Sequence, residues 1–185
     1  MLPEQIRKFA DFFSRLPSIG PRQAIRLGFH LVNAGKNEIN NIEEAVRNLK
    51  RLKPCSHCFF VHETSGNLCP ICSNEIRNKK VIAIVEKETD VVSIEKTGKF
   101  NGRYLVLGGL AKDGLLAPHQ KLRLENLTDS IQKEFGQAEE IILAFNPTSN
   151  GDFNASLITK ELALLTKKIT RLGRGLPTGG EIEFA

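Results

Sequence analysis

The stretch CSHCFFVHETSGNLCPIC spans residues 55–72 and contains every cysteine of the 185-residue chain. The cysteines form two C-x-x-C pairs that are ten residues apart: Cys55, Cys58, Cys69 and Cys72. Two such turns bring four thiolates to one point, which is the arrangement that tetrahedral Zn²⁺ requires. The residues between the pairs are too few to build a hydrophobic core, so we expect a metal ion to hold this segment together.

Two disulfides, or a redox-active C-x-x-C pair, are the alternatives to a metal site. Disulfides belong to oxidising compartments, and the charged N-terminal stretch has no secretory signal. A redox pair usually begins a helix in a thioredoxin-like unit, whereas Cys69 to Cys72 closes a loop rich in Ser, Thr, Gly and Asn. We therefore predict a structural zinc site. Four thiolates leave no open position on the ion, so His57 and His62 are expected not to bind it.

The composition is that of an ordinary globular protein, with 41% hydrophobic and 25% charged residues. No apolar run approaches the ~18 residues of a membrane span, and we expect a cytoplasmic protein without a membrane partner. The formal net charge of +5 lies entirely in residues 1–53, which hold ten Lys or Arg and five acids. This asymmetry favours a polyanion, most often nucleic acid, although a solvated surface is the alternative.

The basic N-terminal piece has the pattern of two helices joined by a tight turn. Apolar residues recur at helical spacing over 3–15, Pro17 ends that helix, and Pro21 is suited to begin the next. Gly20 is expected to take a backbone conformation that other residues avoid. The turn would present helix N-terminal amides to a phosphate, as in the helix-hairpin-helix motif that binds DNA without sequence preference. The candidate DNA-binding residues are Ile19, Gly20, Pro21, Arg22 and Arg26. An ordinary helical hairpin is the alternative, and a third helix is expected over 42–52.

From Val81 onward the chain alternates between strands and helices. The predicted strands are 81–85, 103–107, 141–145 and 168–172, and the predicted helices are 90–96, 122–135 and 153–165. Such alternation with right-handed crossovers predicts a parallel sheet. Glu86 and Asp152 follow two of these strands, at the edge where open α/β sheets place their chemistry. They suggest a Mg²⁺ site, with Asp90 nearby; solvated loop acids are the alternative.

Taken in order, these pieces resemble the RecR family of bacterial recombination mediators over nearly the whole chain. The resemblance rests on LPSIGPRQAIRLGFHL (16–31), the cysteine pairs, VIAIVEKETDV (81–91), YLVLGGL (104–110), ILAFNPTSNGD (142–152) and TRLGRGLPTGGEIEF (170–184). It implies an α/β protein with a helix-hairpin-helix region at 1–53, a four-cysteine zinc finger at 54–77, a Toprim domain at 78–172 and a C-terminal tail at 173–185. Glu86 would mark the acidic Toprim cluster, with Asp90 and Asp152.

The resemblance further implies a non-catalytic DNA-binding protein that acts in recombinational repair. Its expected partners are RecO, RecF or both, and DNA that is single-stranded, gapped or duplex. It would help to load RecA, as a ring-like clamp built from a homodimer or homotetramer.

The alternative is a Toprim-type, Mg²⁺-dependent nuclease or phosphodiesterase. In the RecR family the second acidic motif normally reads Glu-Gly-Glu or Glu-Gly-Asp, whereas here it is Asn150-Gly151-Asp152. The missing carboxylate argues against a Mg²⁺ ion at the Toprim face and against catalysis. A topoisomerase would need an exposed tyrosine nucleophile, and the single tyrosine, Tyr104, lies in an apolar strand pattern.

Overall fold

The structure is a computed structural model that describes residues 2–111 and 115–173. The chain divides into two compact units, and the boundary falls between Leu52 and Lys53. Of the expected C-terminal tail, only its first residue, Gly173, is described; the rest lies outside the described residues. Within the described ranges, no helix has both the length and the apolar character that a membrane crossing requires.

The first unit consists of helices. These are α1 (Glu4–Phe13), α2 (Pro21–Ala34), α3 (Lys36–Asn48) and a 3-10 turn (Leu49–Arg51). The third helix begins six residues before the predicted start, because its first turn is polar and shows no apolar periodicity. Nothing in α3 is buried, whereas α1 and α2 bury Ile6, Ala10, Ala24 and Leu31.

Helices α1 and α2 pack closely at Gly28. A Cβ atom at Gly28 would lie 3.2 Å from a ring carbon of Phe9 and 3.3 Å from the Cδ1 atom of Ile6. The absence of a side chain therefore brings the two helices together, and the turn that joins them is short.

The turn between α1 and α2 differs from the prediction in one respect. Gly20 is extended, with φ −82° and ψ 164°, so the prediction that it supplies an unusual conformation is wrong. Ser18 is the residue at positive φ, 65°. Gly20 instead caps α2, since its amide donates to the side-chain oxygen of Gln23 at 3.0 Å. Pro21 stands at the start of the helix, as predicted.

The second unit contains six strands and four α-helices among the described residues. In chain order they are β1 (Lys53–Pro54), β2 (Val61–His62), α4 (Pro70–Ser73), β3 (Asn78–Val85), α5 (Glu88–Glu95), β4 (Gly102–Val106), α6 (Pro118–Glu134), β5 (Glu140–Ala144), α7 (Ser149–Leu162), a 3-10 turn (Ala163–Leu165) and β6 (Ile169–Arg171). β1 and β2 form a small antiparallel ribbon.

The other four strands form the predicted parallel sheet, in the order β4-β3-β5-β6. The connections after β3 and β5 leave in opposite directions, so the carboxyl ends of these two strands flank the switch point of the sheet. α7 begins four residues before its predicted start, because the Thr148 hydroxyl caps it by accepting from the Gly151 amide at 3.1 Å.

The sheet has two apolar faces, as its alternating strand residues require. One face, with Ile82, Ile84, Leu105, Ile141 and Leu143 among others, packs against α6 and α7. The opposite face, with Ala83, Val85, Tyr104, Val106 and Ala144, packs against α5 and against the four cysteines. The cysteine segment is therefore part of the core of this unit.

The close approach of α7 to the end of β5 gives a test of the fold. A Cβ atom at Gly151 would lie 2.1 Å from the backbone oxygen of Asn146, which cannot move without displacing the strand end. We expect Gly151→Ala to lower the free energy of unfolding by about 2 kcal/mol or more, even though alanine favours helices. Chemical denaturation would measure this change.

Gly66→Ala is the matched control, because nothing lies within 4 Å of the added atom and the backbone there is unstrained. We expect it to change stability by less than about 0.5 kcal/mol. An equal effect of both substitutions would contradict the packing argument.

Candidate metal centre and nucleic-acid interface

The four cysteines converge as the sequence predicts. All are buried, none forms a disulfide, and their sulfur atoms lie within 4.8 Å of one another. The Sγ atoms of Cys58 and Cys69 are 3.5 Å apart. Four sulfurs at about 2.3 Å from a tetrahedral ion would be about 3.8 Å apart, so a four-coordinate metal ion fits this donor set. Among residues 2–111 and 115–173, this is the group of potential ligands that is close enough to hold an ion.

Local backbone bonds fix the positions of the sulfur atoms. The Cys69 amide donates to the sulfur of Cys55 at 3.4 Å, and the Cys72 amide donates to the sulfur of Cys69 at 3.4 Å. Pro70 begins α4 directly after Cys69, so the short helix turns Cys72 back towards the cluster. N–H groups that point at sulfur stabilise thiolates, which are the form that binds a metal.

The way in which the four thiols share protons also favours a cation at the centre of the cluster. The hydrogen bond with Cys58 lowers the pKa of the Cys55 thiol, and the same bond raises the pKa of the Cys58 thiol. Opposite shifts arise because neighbouring thiols share protons: one becomes a thiolate at the expense of the next. A divalent cation at the centre removes this conflict, since it stabilises all four thiolates together and releases their protons.

Three contacts attach the cysteine segment to the sheet and to α6, and an ion pair between α6 and β4 lies beside them. The Val106 amide of edge strand β4 donates to the Cys58 carbonyl at 2.9 Å. The Arg123 guanidinium lies 4.9 Å from the centre of the Phe59 ring. Glu134 forms an ion pair with Arg103 at 2.9 Å, and lies 3.7 Å from Nδ1 of His57. Sequence reasoning missed these links; the spacing of the cysteines carries no sign of them.

The two histidines of the segment lie outside the ligand group. His62 is buried, and its Nδ1 atom is 2.7 Å from the Thr64 hydroxyl. That hydroxyl donates its proton to the Leu68 carbonyl at 2.9 Å, so Nδ1 of His62 is the donor in their bond. The ring therefore carries its proton on Nδ1, and Nε2 has no partner within the described part of the chain.

The three predicted acids of the Toprim face lie after β3 and β5 but hold different partners. The Asp90 carboxylate caps α5 by accepting from the Lys87 amide at 3.0 Å. Asp152 stands in the first turn of α7 and forms an ion pair with Arg171 of β6. Glu86 is half-buried, and its backbone oxygen accepts from the amides of Gly108 and Gly109 at 2.9 and 3.0 Å. The role of these acids stays a prediction.

The segment after β4 is fixed by two helices. Gly108 has a φ of 86°, which strains any residue with a side chain, and an added Cβ would lie 2.7 Å from an Arg123 nitrogen and displace it. Arg123 itself donates to the Val106 carbonyl at 2.8 Å. From α7, the buried Asn154 side chain accepts from the Ala111 amide at 2.8 Å and donates to the Ala111 carbonyl at 3.0 Å. Sequence reasoning missed Arg123 and Asn154.

A cleft of about 320 Å³ opens at the carboxyl ends of β5 and β6. Its polar lining includes Asp90, Ser93, Asn146 and Arg171. The cleft thus lies where the fold places binding sites, on the side of the sheet that carries α5.

The candidate DNA-binding residues lie at the turn before α2. Pro21, Arg22 and Arg26 are exposed, whereas Ile19 and Gly20 are half-buried. Amides in the first helical turn have no partner within the helix, so those of Arg22 and Gln23 are the donors that a phosphate would use there. Ala24 and Gly28 lie on the opposite, buried face. The hairpin therefore presents its positive charge outwards.

Comparison with known proteins shows which families the second unit and the whole chain resemble. Residues 80–173 match the family model described as Toprim domain. The chain is 40% identical to Recombination protein RecR of Rubrobacter xylanophilus, over 93% of this chain and 85% of that protein. It is 38% identical to Recombination protein RecR of a Roseiflexus species, over 100% of this chain and 89% of the relative. It is also 35% identical to Recombination protein RecR of Finegoldia magna, over 100% of this chain and 91% of that protein.

The metal centre predicts the behaviour of a cysteine variant. We expect Cys58→Ser to lose the bound metal and to lower the free energy of unfolding by roughly 3 kcal/mol or more, because the ion would join the two cysteine turns that pack into the core of this unit. Metal analysis of the purified protein and thermal melting would measure both effects.

His57→Asn is the control for this experiment, since His57 lies in the same segment but outside the ligand group. We expect it to retain its metal. Full metal content in Cys58→Ser, or loss of metal in His57→Asn, would contradict the assignment of the ligands.

Proposed function

Because the chain belongs to the RecR family of recombination proteins, we propose that it is a non-catalytic, DNA-binding mediator of recombinational repair. In this proposal it binds DNA through the α1–α2 hairpin, without sequence preference, and it acts in the cytoplasm, where bacterial DNA lies. The observation that carries the DNA-binding step is the exposure of Arg22 and Arg26 at the start of α2. Arg22 lies in the first turn of α2, the helix end that attracts phosphate, and Arg26 lies one turn further along the same side.

The charge distribution supports the same proposal. Residues 1–53 hold the whole net charge of +5, and the hairpin lies within them. Contacts to phosphates fix a protein on DNA but do not read its sequence. We therefore expect binding that weakens steeply as salt is raised, with little difference between sequences.

The ion in the cysteine cluster is proposed to be structural Zn²⁺. Four thiolates occupy all four coordination positions of a tetrahedral ion and leave none for a reacting water. In this role the ion holds Cys58 and Phe59 against β4 and α6, where their contacts are made. The zinc thus stabilises the Toprim unit and takes no part in chemistry.

Three contacts support a non-catalytic Toprim face. Asp90 caps a helix, Asp152 is paired with Arg171, and Asn150 replaces the family's glutamate. The Asn150 side-chain oxygen accepts from Asn154 at 3.2 Å, so this position serves the packing of α7. Each group has a structural partner, and we propose no Mg²⁺ ion there.

The partners proposed are RecO, RecF or both, with RecA as the protein whose loading is assisted. A chain of this size cannot encircle a duplex alone, so a clamp requires a homodimer or homotetramer. The proposed place of action is single-stranded or gapped DNA that is coated with single-strand-binding protein.

Charge reversal at Arg22 tests the DNA-binding surface. We expect Arg22→Glu to weaken DNA binding roughly tenfold and to reduce the salt slope by about one, since a phosphate contact is lost. The helix should persist, because an acid in the first turn of α2 is favourable to the helix dipole. Fluorescence anisotropy over a salt series would measure both quantities.

Lys36→Glu provides a control with the same change in charge. Lys36 is exposed at the start of α3, beyond the far end of α2, so about 20 Å of helix separates it from Arg22. At that distance physiological salt screens the charge, and we expect binding to change less than about twofold. Equal losses in both variants would point to overall charge and would refute a site at the turn.

A loading assay tests the mediator role separately. With RecO or RecF present, we expect the chain to shorten the lag before RecA hydrolyses ATP on single-stranded DNA coated with single-strand-binding protein. Arg22→Glu should restore the lag, because the mediator must first bind DNA. A lag that the chain leaves unchanged with either partner would refute the mediator role while leaving DNA binding intact.

A further inference from the structure

Phe12 is the most exposed aromatic side chain among the described residues. It lies in the last turn of α1, and 63% of its surface is open to solvent. The ring of Phe13 meets it edge to face, with 5.7 Å between the centres and 68° between the planes. Phe13 is in turn stacked on Phe9 at 4.0 Å. The Phe12 ring is thus held by its neighbour, while most of its surface is available to a ligand.

Two cations flank Phe12: Lys8 lies on α1, and Arg15 lies two residues after the end of α1. Lys8 precedes Phe12 by four residues and Arg15 follows it by three, which are the spacings of neighbours on a helix surface. Both side chains are exposed, and the Arg15 amide continues the helical turn by donating to the Phe12 carbonyl at 3.2 Å. Lys8 forms a surface ion pair with Glu4, a contact that a phosphate readily displaces. The result is an aromatic ring between two positive charges.

This basic and aromatic surface, formed by Lys8, Phe12 and Arg15, lies near the turn before α2. Phe9 packs opposite Gly28, so the residues after it in α1 approach the end of the hairpin where α2 begins. Arg22 and Arg26 are exposed at that end. The ring therefore stands at the same end of the hairpin as the proposed phosphate contacts.

We infer that Phe12 is a stacking platform for an unpaired base, and that it gives the hairpin a preference for single-stranded over duplex DNA. The inference rests on the proposed DNA-binding function. Every base has a π-face, and only an unpaired base can turn that face onto a protein ring; in a duplex both faces are covered by neighbouring bases. Lys8 and Arg15 attract the phosphates on either side of the stacked base. The ligand is thus a nucleotide of a single strand.

Substitutions at Phe12 test this role. We expect Phe12→Ala and Phe12→Leu to weaken binding to oligothymidylate about fivefold or more, the loss of one stacked base. Binding to a blunt duplex of the same length should change less than about twofold. Phe12→Trp should bind oligothymidylate at least as well as the natural chain. Leucine is the decisive variant, because it keeps the apolar surface and the helix but removes the π-face.

A second measurement uses fluorescence. The chain contains no tryptophan, so Phe12→Trp introduces a single tryptophan, which can be excited selectively over Tyr104. Its emission should be quenched when oligothymidylate binds and should stay nearly constant when the duplex binds. Phe153→Trp is the matched control: Phe153 is 48% exposed, but it lies on α7 in the other unit. Its emission should respond to neither DNA. Equal quenching of both variants would overturn the inference.

The outcomes separate this inference from the proposed function. If Arg22→Glu leaves all DNA binding unchanged, the hairpin is not the DNA site and both ideas fall. If Arg22→Glu weakens binding but Phe12→Ala and Phe12→Leu do not alter the ratio of single-strand to duplex affinity, only the stacking role is wrong. If light scattering shows that Phe12→Ala changes the oligomer mass while Phe12→Leu does not, the ring belongs to a contact between copies, and the stacking role is likewise overturned.

Discussion

The convergence of four buried thiols on one point is the constraint on which the second unit depends. Cys55 and Cys58 come from one turn and Cys69 and Cys72 from another, and the loop between them has no core of its own. Without a cation, thiolates so close would repel one another, and their hydrogen bond lowers the pKa of the Cys55 thiol while it raises the pKa of the Cys58 thiol. A bound metal ion converts the repulsion into attraction, so the cluster becomes a rigid part of the core.

That rigid cluster completes the sheet. β4 is an edge strand, and an edge strand has unpaired amides that need partners. The Cys58 carbonyl supplies a partner for Val106, while Phe59 packs against Arg123 from α6. Arg123 also bonds to the Val106 carbonyl beside Gly108. A continuous set of contacts therefore runs from the four cysteines to the segment after β4. This segment lies at the carboxyl ends of the strands, and the cleft opens at the carboxyl ends of β5 and β6.

The first unit has a different physical basis. Its helices α1 and α2 meet at a glycine and bury a few small or aliphatic side chains, whereas α3 buries none. With little core to build, the sequence of this unit is free to place cations and an aromatic ring on its surface. Such a surface is what the proposed binding to DNA phosphates requires. The thiol cluster thus lies in one unit and the exposed basic surface in the other.

Much of the fold was readable from the sequence because it rests on local patterns. The C-x-x-C spacing predicted the thiol cluster, the apolar run at Val81–Val85 predicted a buried parallel strand, and Pro21 predicted the start of α2; the structure confirms all three. The first residues of the helices were predicted less accurately, since polar first turns such as that of α3 lack apolar periodicity. Gly20 was assigned the wrong backbone conformation, because the turn places its positive φ at Ser18.

The sequence by itself determined the four cysteines of the cluster, the order of the four sheet strands and of the helices between them, and the location of the excess charge, because each follows from spacing or composition. Only the tertiary structure decided that the cysteines pack into the sheet, that Arg123 and Asn154 hold the segment after β4, and that Asp152 pairs with Arg171. It also decided that Phe12 remains exposed while Phe9 and Phe13 stack. These facts depend on residues that are distant in sequence, or on which face of a helix is covered, and folding alone brings such partners together.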